Sequence, residues 1–350
     1  MTERVLTPRE LNRALLARQG LLERVPLPVA RALERIGGLQ TQYAPSGYIG
    51  LWTRVEGFTR DRLTEALERR TVVQATAMRS TIHLVSARDY PLLMAGIRRA
   101  RAAWWLRTHP GAAERLDAPA IAARVRAALA DGPRRSAELA ELLEPYGPLA
   151  WGAAGIWVDL LRAPPGGTWE QRRADVIASA EQWLGPPEAT EATEAEGLEL
   201  IVRRYLGAFG PAGAAEIASW AGVDRAAVAA KLPRLRLRRF RDEQGRGLVD
   251  LPRAPLPPPD TPAPVRFLPK WDAVLLSHAR RTGILPERHY DLAVNRKNLD
   301  IAPTFLVDGF VAGRWRHERG RVLLEPFEPL SRSVQLELDQ EAERLAVFHA

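Results

Sequence analysis

Hydrophobic and polar positions in the first 110 residues predict a group of helices followed by a β-hairpin. Thr7-Pro8-Arg9-Glu10 combines an N-cap, a proline in the first turn and the glutamate of a capping box, and leucines follow at helical spacing. A second apolar stripe of helical period ends at Ile36, before Gly37 and Gly38. Residues 72–77 and 82–87 then predict two strands joined near Arg79-Ser80. Helices followed by a hairpin indicate a winged helix.

The same order of elements recurs twice along the chain, without a fixed sequence period. The second copy has a strand at 174–178 after helices predicted at 118–130, 135–143 and 148–161. The third has a hairpin over 235–251 around Gln244-Gly245, after helices predicted at 198–206, 211–220 and 225–231.

Two segments of biased composition separate these copies from their neighbours. Residues 185–197 are acidic and of low complexity, which predicts a mobile linker, and residues 252–264 are proline-rich, which predicts an extended and stiff one. Beyond them, Asp308-Gly309 marks a hairpin turn between strands 304–307 and 310–315, with a further strand at 321–324. We therefore predict an α+β fold of three tandem winged-helix modules, at 1–110, 111–184 and 198–251, followed by a mostly β C-terminal region at 265–350.

Composition narrows the classes of function. The chain has a net charge of +8, and its first 110 residues hold 18 arginines against 9 acidic residues, which favours a polyanionic partner such as nucleic acid near that segment rather than near Arg172 and Arg173. The absence of cysteine excludes disulfides, thiol catalysis and Cys-ligated zinc and fits a cytoplasmic protein. A charged N-terminus and the lack of a long apolar run predict neither a signal peptide nor a membrane span. No His pair or carboxylate cluster has metal-ligand spacing and no glycine loop has nucleotide-binding spacing, so we expect no metal and no cofactor.

Gln40 and Gln42 carry the candidate chemistry. Their spacing places both amides on one face of an extended segment, and the preceding Gly37 and Gly38 allow a close approach of the backbone. A Gln-x-Gln pair alone is most often two solvated polar residues on a loop.

Residues 36–50 around this pair resemble the Gln-x-Gln signature of the winged-helix DNA glycosylases, a family that includes azinomycin-resistance and interstrand-crosslink glycosylases. Further motifs appear in the expected order along nearly the whole chain: Met78 to Val85, Gly167-Thr168-Trp169, Phe209-Gly210-Pro211-Ala212, Leu275-Leu276-Ser277-His278 and Pro303 to Gly309. Another branch of the family carries Asp at the second signature position, so Gln42 indicates the Gln-x-Gln branch. Lys270-Trp271-Asp272 departs from the family, in which an acidic or apolar residue is expected before the aromatic one.

The resemblance implies a monofunctional DNA glycosylase that hydrolyses the N-glycosidic bond of alkylated purines in double-stranded DNA, including bulky adducts and interstrand crosslinks. It implies catalytic roles for Gln40 and Gln42, and a monomer in the cytoplasm that associates with the nucleoid. We assign DNA contacts to eight further residues: Arg54, Arg79, Ser80, His83, Lys270, Arg281, Arg314 and Arg316. His83 alone, on a strand between two apolar residues, would most often be a structural histidine.

Two cationic segments leave alternatives open. Arg234 to Arg241 alternates basic and apolar residues, which fits equally a phosphate-contacting wing and an edge strand that uses charge against aggregation. Residues 98–107, with Trp104 and Trp105, fit a membrane-surface helix, although a buried tryptophan pair beneath a solvated arginine face is favoured. At the level of the whole chain, the rivals of a glycosylase are a non-catalytic winged-helix regulator, which base release from alkylated DNA would exclude, and a protein that sequesters the alkylating drug without DNA.

Overall fold

A computed structural model describes residues 3–185, 192–276, 283–297 and 300–350 and has an α+β architecture. The N-terminal segment contains β1 (Arg4–Leu6), α1 (Pro8–Arg18), α2 (Val29–Ile36), β2 (Leu39–Gln40), α3 (Ala44–Trp52), α4 (Arg60–Glu68), β3 (Val72–Thr76), β4 (Ile82–Ser86) and α5 (Tyr90–Thr108). Thr7 caps α1 in the predicted capping box with Glu10. The two predicted strands are confirmed as β3 and β4, joined by a short 3-10 turn at Met78–Ser80.

The middle of the chain contains α6 (Ala112–Arg115), α7 (Ala118–Leu129), β5 (Arg134–Arg135), α8 (Ser136–Leu142), α9 (Ala150–Trp157), β6 (Leu160–Arg162), β7 (Val176–Ser179), α10 (Ala180–Leu184), α11 (Glu194–Phe209), α12 (Ala214–Ala221), α13 (Arg225–Lys231), β8 (Arg238–Asp242) and β9 (Gly247–Asp250). The prediction of one helix over 148–161 was wrong at its end, because α9 stops at Trp157 and β6 pairs with β3 and β7. Of the acidic segment predicted as a linker, Glu194 to Gly197 instead form the first turn of α11, with Thr193 and Glu196 as its capping box, and residues 186–191 lie outside the described chain.

The C-terminal segment contains β10 (Arg266–Leu268), α14 (Tyr290–Ala293), β11 (Val294–Asn295), β12 (Asp300–Ile301), β13 (Thr304–Val307), β14 (Phe310–Glu318), β15 (Arg321–Pro326) and α15 (Arg332–His349). The predicted Asp308-Gly309 hairpin is confirmed, and both turn residues have positive φ. The expectation of a mostly β region overlooked α15, an 18-residue helix that Ser331 caps.

The two largest sheets lie in different parts of the chain. A six-stranded sheet of order β2-β4-β3-β6-β7-β5 runs through the first two predicted modules, so their hairpins share one sheet. A four-stranded antiparallel sheet, β10-β13-β14-β15, forms the C-terminal region. One continuous apolar core includes Leu16, Leu206 and Leu345 and so joins segments far apart in sequence, whereas residues 121–177 contain a separate small core around Val125.

Buried ion pairs connect the N-terminal helices to distant segments. Arg18 pairs with Asp250 at 2.8 Å and Arg54 pairs with Asp272 at 2.7 Å, and all four side chains are inaccessible to solvent. Arg9, Arg13 and Arg18 also donate hydrogen bonds to backbone carbonyls of the proline-rich segment, at residues 259, 261 and 255. Among the described residues, no helix has the length and apolarity that a bilayer span requires.

Candidate functional site

The Gln-x-Gln segment begins where α2 ends in two glycines of left-handed backbone conformation and β2 starts. Gly37 ends α2 with φ of 80°, and Gly38 has the same φ. A side chain at Gly38 would bring Cβ to 2.9 Å from the carbonyl oxygen of Leu84, so only glycine allows β2 to lie this close to β4. In the resulting register Gln40 lies opposite His83. The backbone of two glycines therefore fixes where the first glutamine stands.

Gln40 and Gln42 lie on the same side of this segment. Leu39 and Thr41 are buried, whereas Gln40 is half-buried and Gln42 is exposed, which is the alternation of an extended chain. The backbone N–H of Ile82 donates a hydrogen bond to Gln42 Oε1 over 3.0 Å. Since a carbonyl oxygen has two lone pairs, Gln42 Oε1 retains the capacity to accept a second hydrogen bond.

Arg79 and Thr81 determine the orientation of Gln40. Arg79 Nη2 and Thr81 Oγ1 donate to Gln40 Oε1 over 3.2 Å and 3.3 Å. These two donors use both lone pairs of the oxygen, so the amide of Gln40 is held in place with its Nε2 as the group left to interact with other molecules.

Arg79 is itself held in an uncommon backbone conformation. Arg79 and Ser80 have φ of 53° and 59°, in the left-handed region. The guanidinium of Arg79 also donates to the carbonyl of Trp220, and a Cβ at Gly222 would lie 3.1 Å from the Arg79 backbone nitrogen. The end of α12 thus supports the turn that carries Arg79, and strain of this kind is concentrated at functional sites.

His83 is buried and neutral. Burial, followed by the positive charge of Arg79, lowers the pKa of His83 to about 3, and its Nδ1 lies 2.9 Å from the Thr81 carbonyl oxygen as a donor. The side chain is 3% exposed, so the assignment of His83 to a direct DNA contact is corrected to a supporting position beside Gln40. A fully buried, uncharged ring offers a phosphate neither access nor charge.

Arg54 does not belong to the DNA-contacting set. Its guanidinium binds Asp272 through both Nη atoms, at 2.9 Å and 2.7 Å, and donates to the Gly50 carbonyl oxygen. Because the residue is wholly buried, the prediction that it contacts DNA was wrong. The sequence signal for this pair was Asp272 in Lys270-Trp271-Asp272, which marks a structural anchor.

The remaining predicted contacts include four residues that the structure describes and one that it does not. Lys270 pairs with Asp300 at 2.9 Å and lies over the Trp271 ring, at 4.4 Å from its centroid. Arg314 and Arg316 are partly exposed on β14 and pair with Glu325 and Glu318. Ser80 is half-buried beside Arg79, and Arg281 lies outside the described residues.

An aromatic and cationic group next to Gln42 was not predicted as part of the site. Arg172 donates to the hydroxyl of Tyr43 over 3.3 Å and approaches the Trp169 ring, and Tyr43 is 41% exposed. Trp169 packs edge-on against Tyr48 and against Phe348 of α15. The signal in the sequence was Gly167-Thr168-Trp169, whose Gly167 carbonyl accepts a hydrogen bond from Gln74 at 2.9 Å.

The chain is similar to known proteins along nearly its whole length. The family model described as DNA glycosylase AlkZ-like matches residues 33–348. Among solved structures, the DNA glycosylase AlkZ of Streptomyces sahachiroi is similar with a TM-score of 0.80 at 18% identity, over 99% of this chain and 97% of that one. A comparison with curated protein sequences found no match.

Proposed function

The chain belongs to the AlkZ-like family of DNA glycosylases, and on that premise we propose that it hydrolyses the N-glycosidic bond of alkylated purines, including bulky adducts and interstrand crosslinks. The family makes it an enzyme of DNA repair rather than a non-catalytic regulator. The observation that supports the proposed chemistry is the pair Gln40 and Gln42 on one side of the segment that begins with β2, with Gln40 held by Arg79 and Gln42 still able to accept a hydrogen bond.

Both amides contact the attacking water in this proposal, one as a hydrogen-bond acceptor and the other as a donor. Gln42 Oε1 accepts a hydrogen bond from the attacking water through its remaining lone pair, and Gln40 Nε2 donates to the same water from the other side. Such an arrangement orients the nucleophile without deprotonating it, which lowers the entropic part of the barrier. Neither amide is a strong base.

Alkylated purines suit a site that has neither a strong base nor a strong acid. Alkylation of a ring nitrogen makes the base cationic, and a cationic base leaves without protonation by a general acid. The neutral His83 beside Gln40 fits this chemistry, because a histidine with a pKa of about 3 is not a general acid at neutral pH. An unmodified base would need an acid that these residues do not supply, so selectivity follows from the leaving group.

DNA is bound, in this proposal, by three winged-helix modules acting within a monomer. Each of the segments 1–110, 111–184 and 198–251 has helices followed by a hairpin: β3–β4, β6–β7 and β8–β9. Exposed arginines on β8, such as Arg239, would contact phosphates. A lesion that already disturbs stacking reduces the cost of extruding the base.

The proposed enzyme is monofunctional. Strand cleavage by a glycosylase commonly needs an amine nucleophile. The chain has three lysines, Lys231, Lys270 and Lys297. Lys231 pairs with Glu199 and Lys270 with Asp300, so both amines are engaged in ion pairs rather than directed at Gln42.

Base release from modified DNA tests the proposal. The protein is incubated with methylated and with interstrand-crosslinked duplex DNA, and abasic sites are detected by alkaline cleavage. We expect abasic sites in both substrates and none in unmodified DNA, with Gln40→Ala/Gln42→Ala as the inactive control. Tight binding to alkylated DNA without base release would contradict the assignment of this chemistry to the Gln-x-Gln segment.

A further inference from the structure

A cavity with a volume of about 310 Å³ lies beside the site and is lined by residues of α5, α9 and β6. Small-molecule sites typically occupy about 300–1,000 Å³. Its lining includes the indole rings of Trp104, Trp105 and Trp151. Trp105 is buried, whereas Trp104 is 43% exposed, so the indole lining reaches the surface. Tryptophan surfaces of this kind stack on flat aromatic rings.

Two arginines in the lining have no carboxylate partner among the described residues. Arg162 Nη1 donates to Thr76 Oγ1 over 2.9 Å, but its Nε is fully shielded and has no hydrogen-bond partner in the described chain. Within the ranges that the structure describes, Arg101 donates to the Gly155 carbonyl oxygen and to the sulfur of Met94. Asp159, which acts on Arg101 electrostatically, is paired with Arg98 at 2.7 Å.

Placing two guanidinium groups together away from water is costly unless an anion compensates them. Burial, reinforced by the charge of Arg101, lowers the pKa of Arg162 to about 10, so Arg162 remains cationic at neutral pH. The prediction that arginines of residues 98–107 form a solvated face is therefore corrected for Arg101, whose side chain lines the cavity together with Trp105.

The cavity is adjacent to the glutamines in the fold. Ser80 contributes to its lining and directly follows Arg79, which holds Gln40. Arg162 lies opposite Gln74 in the register of β3 and β6, the strands of the same sheet that carries β2. A molecule in the cavity is thus separated from the site by one left-handed turn.

We propose that this cavity binds a nucleotide, with the phosphate held by Arg101 and Arg162 and the base stacked on the tryptophan rings. Guanidinium groups bind phosphate through parallel charge-assisted hydrogen bonds, and indoles stack on any base. The source of the nucleotide is either duplex DNA next to the lesion or a free mononucleotide. Only the choice of DNA as source rests on the proposed function.

Calorimetric titration of the full-length protein with deoxyadenosine monophosphate tests the site, with deoxyadenosine and inorganic phosphate as half-ligands. We expect saturable binding of the nucleotide, roughly tenfold tighter than either half-ligand, because charge and stacking act together. Arg162→Gln and Trp104→Ala each weaken it roughly tenfold. The matched control Arg99→Gln, an exposed arginine on the same helix, leaves it unchanged.

The thermal unfolding of each variant is measured beside its titration. This control is needed because Arg162 also donates a hydrogen bond to Thr76, so its substitution affects the stability of the fold. Trp104 is partly exposed, so Trp104→Ala keeps the test decisive if Arg162→Gln unfolds. No saturable binding by the wild-type protein, binding of phosphate as tight as that of the nucleotide, or unchanged affinity in Trp104→Ala would each overturn the proposal.

Competition between duplex DNA and the mononucleotide identifies which of the two fills the cavity. Duplex DNA containing an abasic-site analogue displaces the mononucleotide if DNA fills the cavity, and binds without displacing it if the ligand is a free nucleotide. Neither the mononucleotide nor the abasic-site analogue offers a base in duplex DNA for excision, so a failure of the nucleotide site and a failure of the proposed function are told apart.

Discussion

Arg79 Nη2 donates a hydrogen bond to Gln40 Oε1 over 3.2 Å while the same guanidinium binds the Trp220 carbonyl of α12. Arg79, which orients Gln40, is therefore itself held by the end of α12, a distant part of the chain. Gln42 accepts a hydrogen bond from the neighbouring backbone of Ile82. The two glutamines differ accordingly in what they can offer a substrate.

Gln40→Ala and Gln42→Ala should each lower the single-turnover rate of base excision, roughly a hundredfold, with DNA affinity within about twofold of wild type. The reason is that each removes one of the two contacts to the attacking water. Gln42→Asp should retain part of the activity, because a carboxylate oxygen accepts the same hydrogen bond. Gln340→Ala, at an exposed position of α15, serves as the matched control. Normal excision by both alanine variants would exclude the water-positioning role.

Arg54→Ala should destabilise the fold by about 3–5 kcal/mol, because it leaves Asp272 buried without a counter-charge. Chemical denaturation measures this change. The exposed pair of Arg316 and Glu318 provides the comparison, and Arg316→Ala should cost under about 1 kcal/mol. If Arg54→Ala weakened DNA binding at unchanged stability, Arg54 would have to reach the nucleic acid after all.

Stability should fall as the pH falls below about 6.5, the ordinary pKa of a histidine, and His83 should be one of the causes. The unfolded chain binds a proton at His83 below that pH, but the folded protein keeps the ring neutral down to about pH 3. Unfolding therefore takes up a proton in this range, which corresponds to a slope of about 1.4 kcal/mol per pH unit. His349, whose pKa is lowered by burial to about 4, adds a second such slope.

Denaturation of His83→Gln at several pH values between 4 and 6 separates these two contributions. The variant should lose the share of the slope that belongs to His83 and keep that of His349. An unchanged slope would mean that His83 is protonated in the folded protein.

Arg172 and Arg173 should differ in their effect on DNA binding. Charge placement alone predicted that both matter less than Arg54 and Arg79. However, Arg172 lies beside Tyr43 and Trp169, next to Gln42, whereas Arg173 is 89% exposed with a weak contact to Asp175. Arg172→Ala should weaken binding and reduce the slope of log affinity against log salt by about 0.9, the value for one phosphate contact. Equal behaviour of the two variants would remove Arg172 from the proposed DNA surface.

Borohydride added during turnover should trap no protein–DNA adduct, because water rather than an amine attacks the sugar. Lys270 is held by Asp300, and the product should be an intact abasic site. Gel electrophoresis under denaturing conditions detects a trapped adduct. An adduct that disappears in Lys270→Ala would make this lysine the nucleophile.

Local sequence signals predicted the elements of the fold well but not their partners. The capping box at Thr7, the Asp308-Gly309 turn and the strands on either side of Arg79 depend on neighbouring residues, so they are legible in the sequence. The end of α9 was missed because β6 is defined by pairing with β3, which no local pattern records. The prediction for Arg54 failed for the same reason, since its partner Asp272 lies 218 positions away.

The site was predicted only in part for a related reason. Gln40 and Gln42 stand out by their spacing and by the family signature, but Arg172 is brought to Tyr43 by the docking of one segment on another. Arg101 and Trp105 were visible in the sequence as a basic aromatic stretch. Their burial together with Arg162 requires the packing of α5, α9 and β6, which sequence periodicity does not encode.

The ion pairs of three buried arginines in the N-terminal segment limit how the protein can be divided into fragments. Arg13 and Arg18 of α1 and Arg54 are buried, and they find their counter-charges at Asp308, Asp250 and Asp272. A fragment that ends at residue 110 would contain both glutamines, yet its three buried cations would have no anions. The site and the last third of the chain are therefore expected to fold and to be inherited as one unit, so that shuffling of modules between relatives would be selected against.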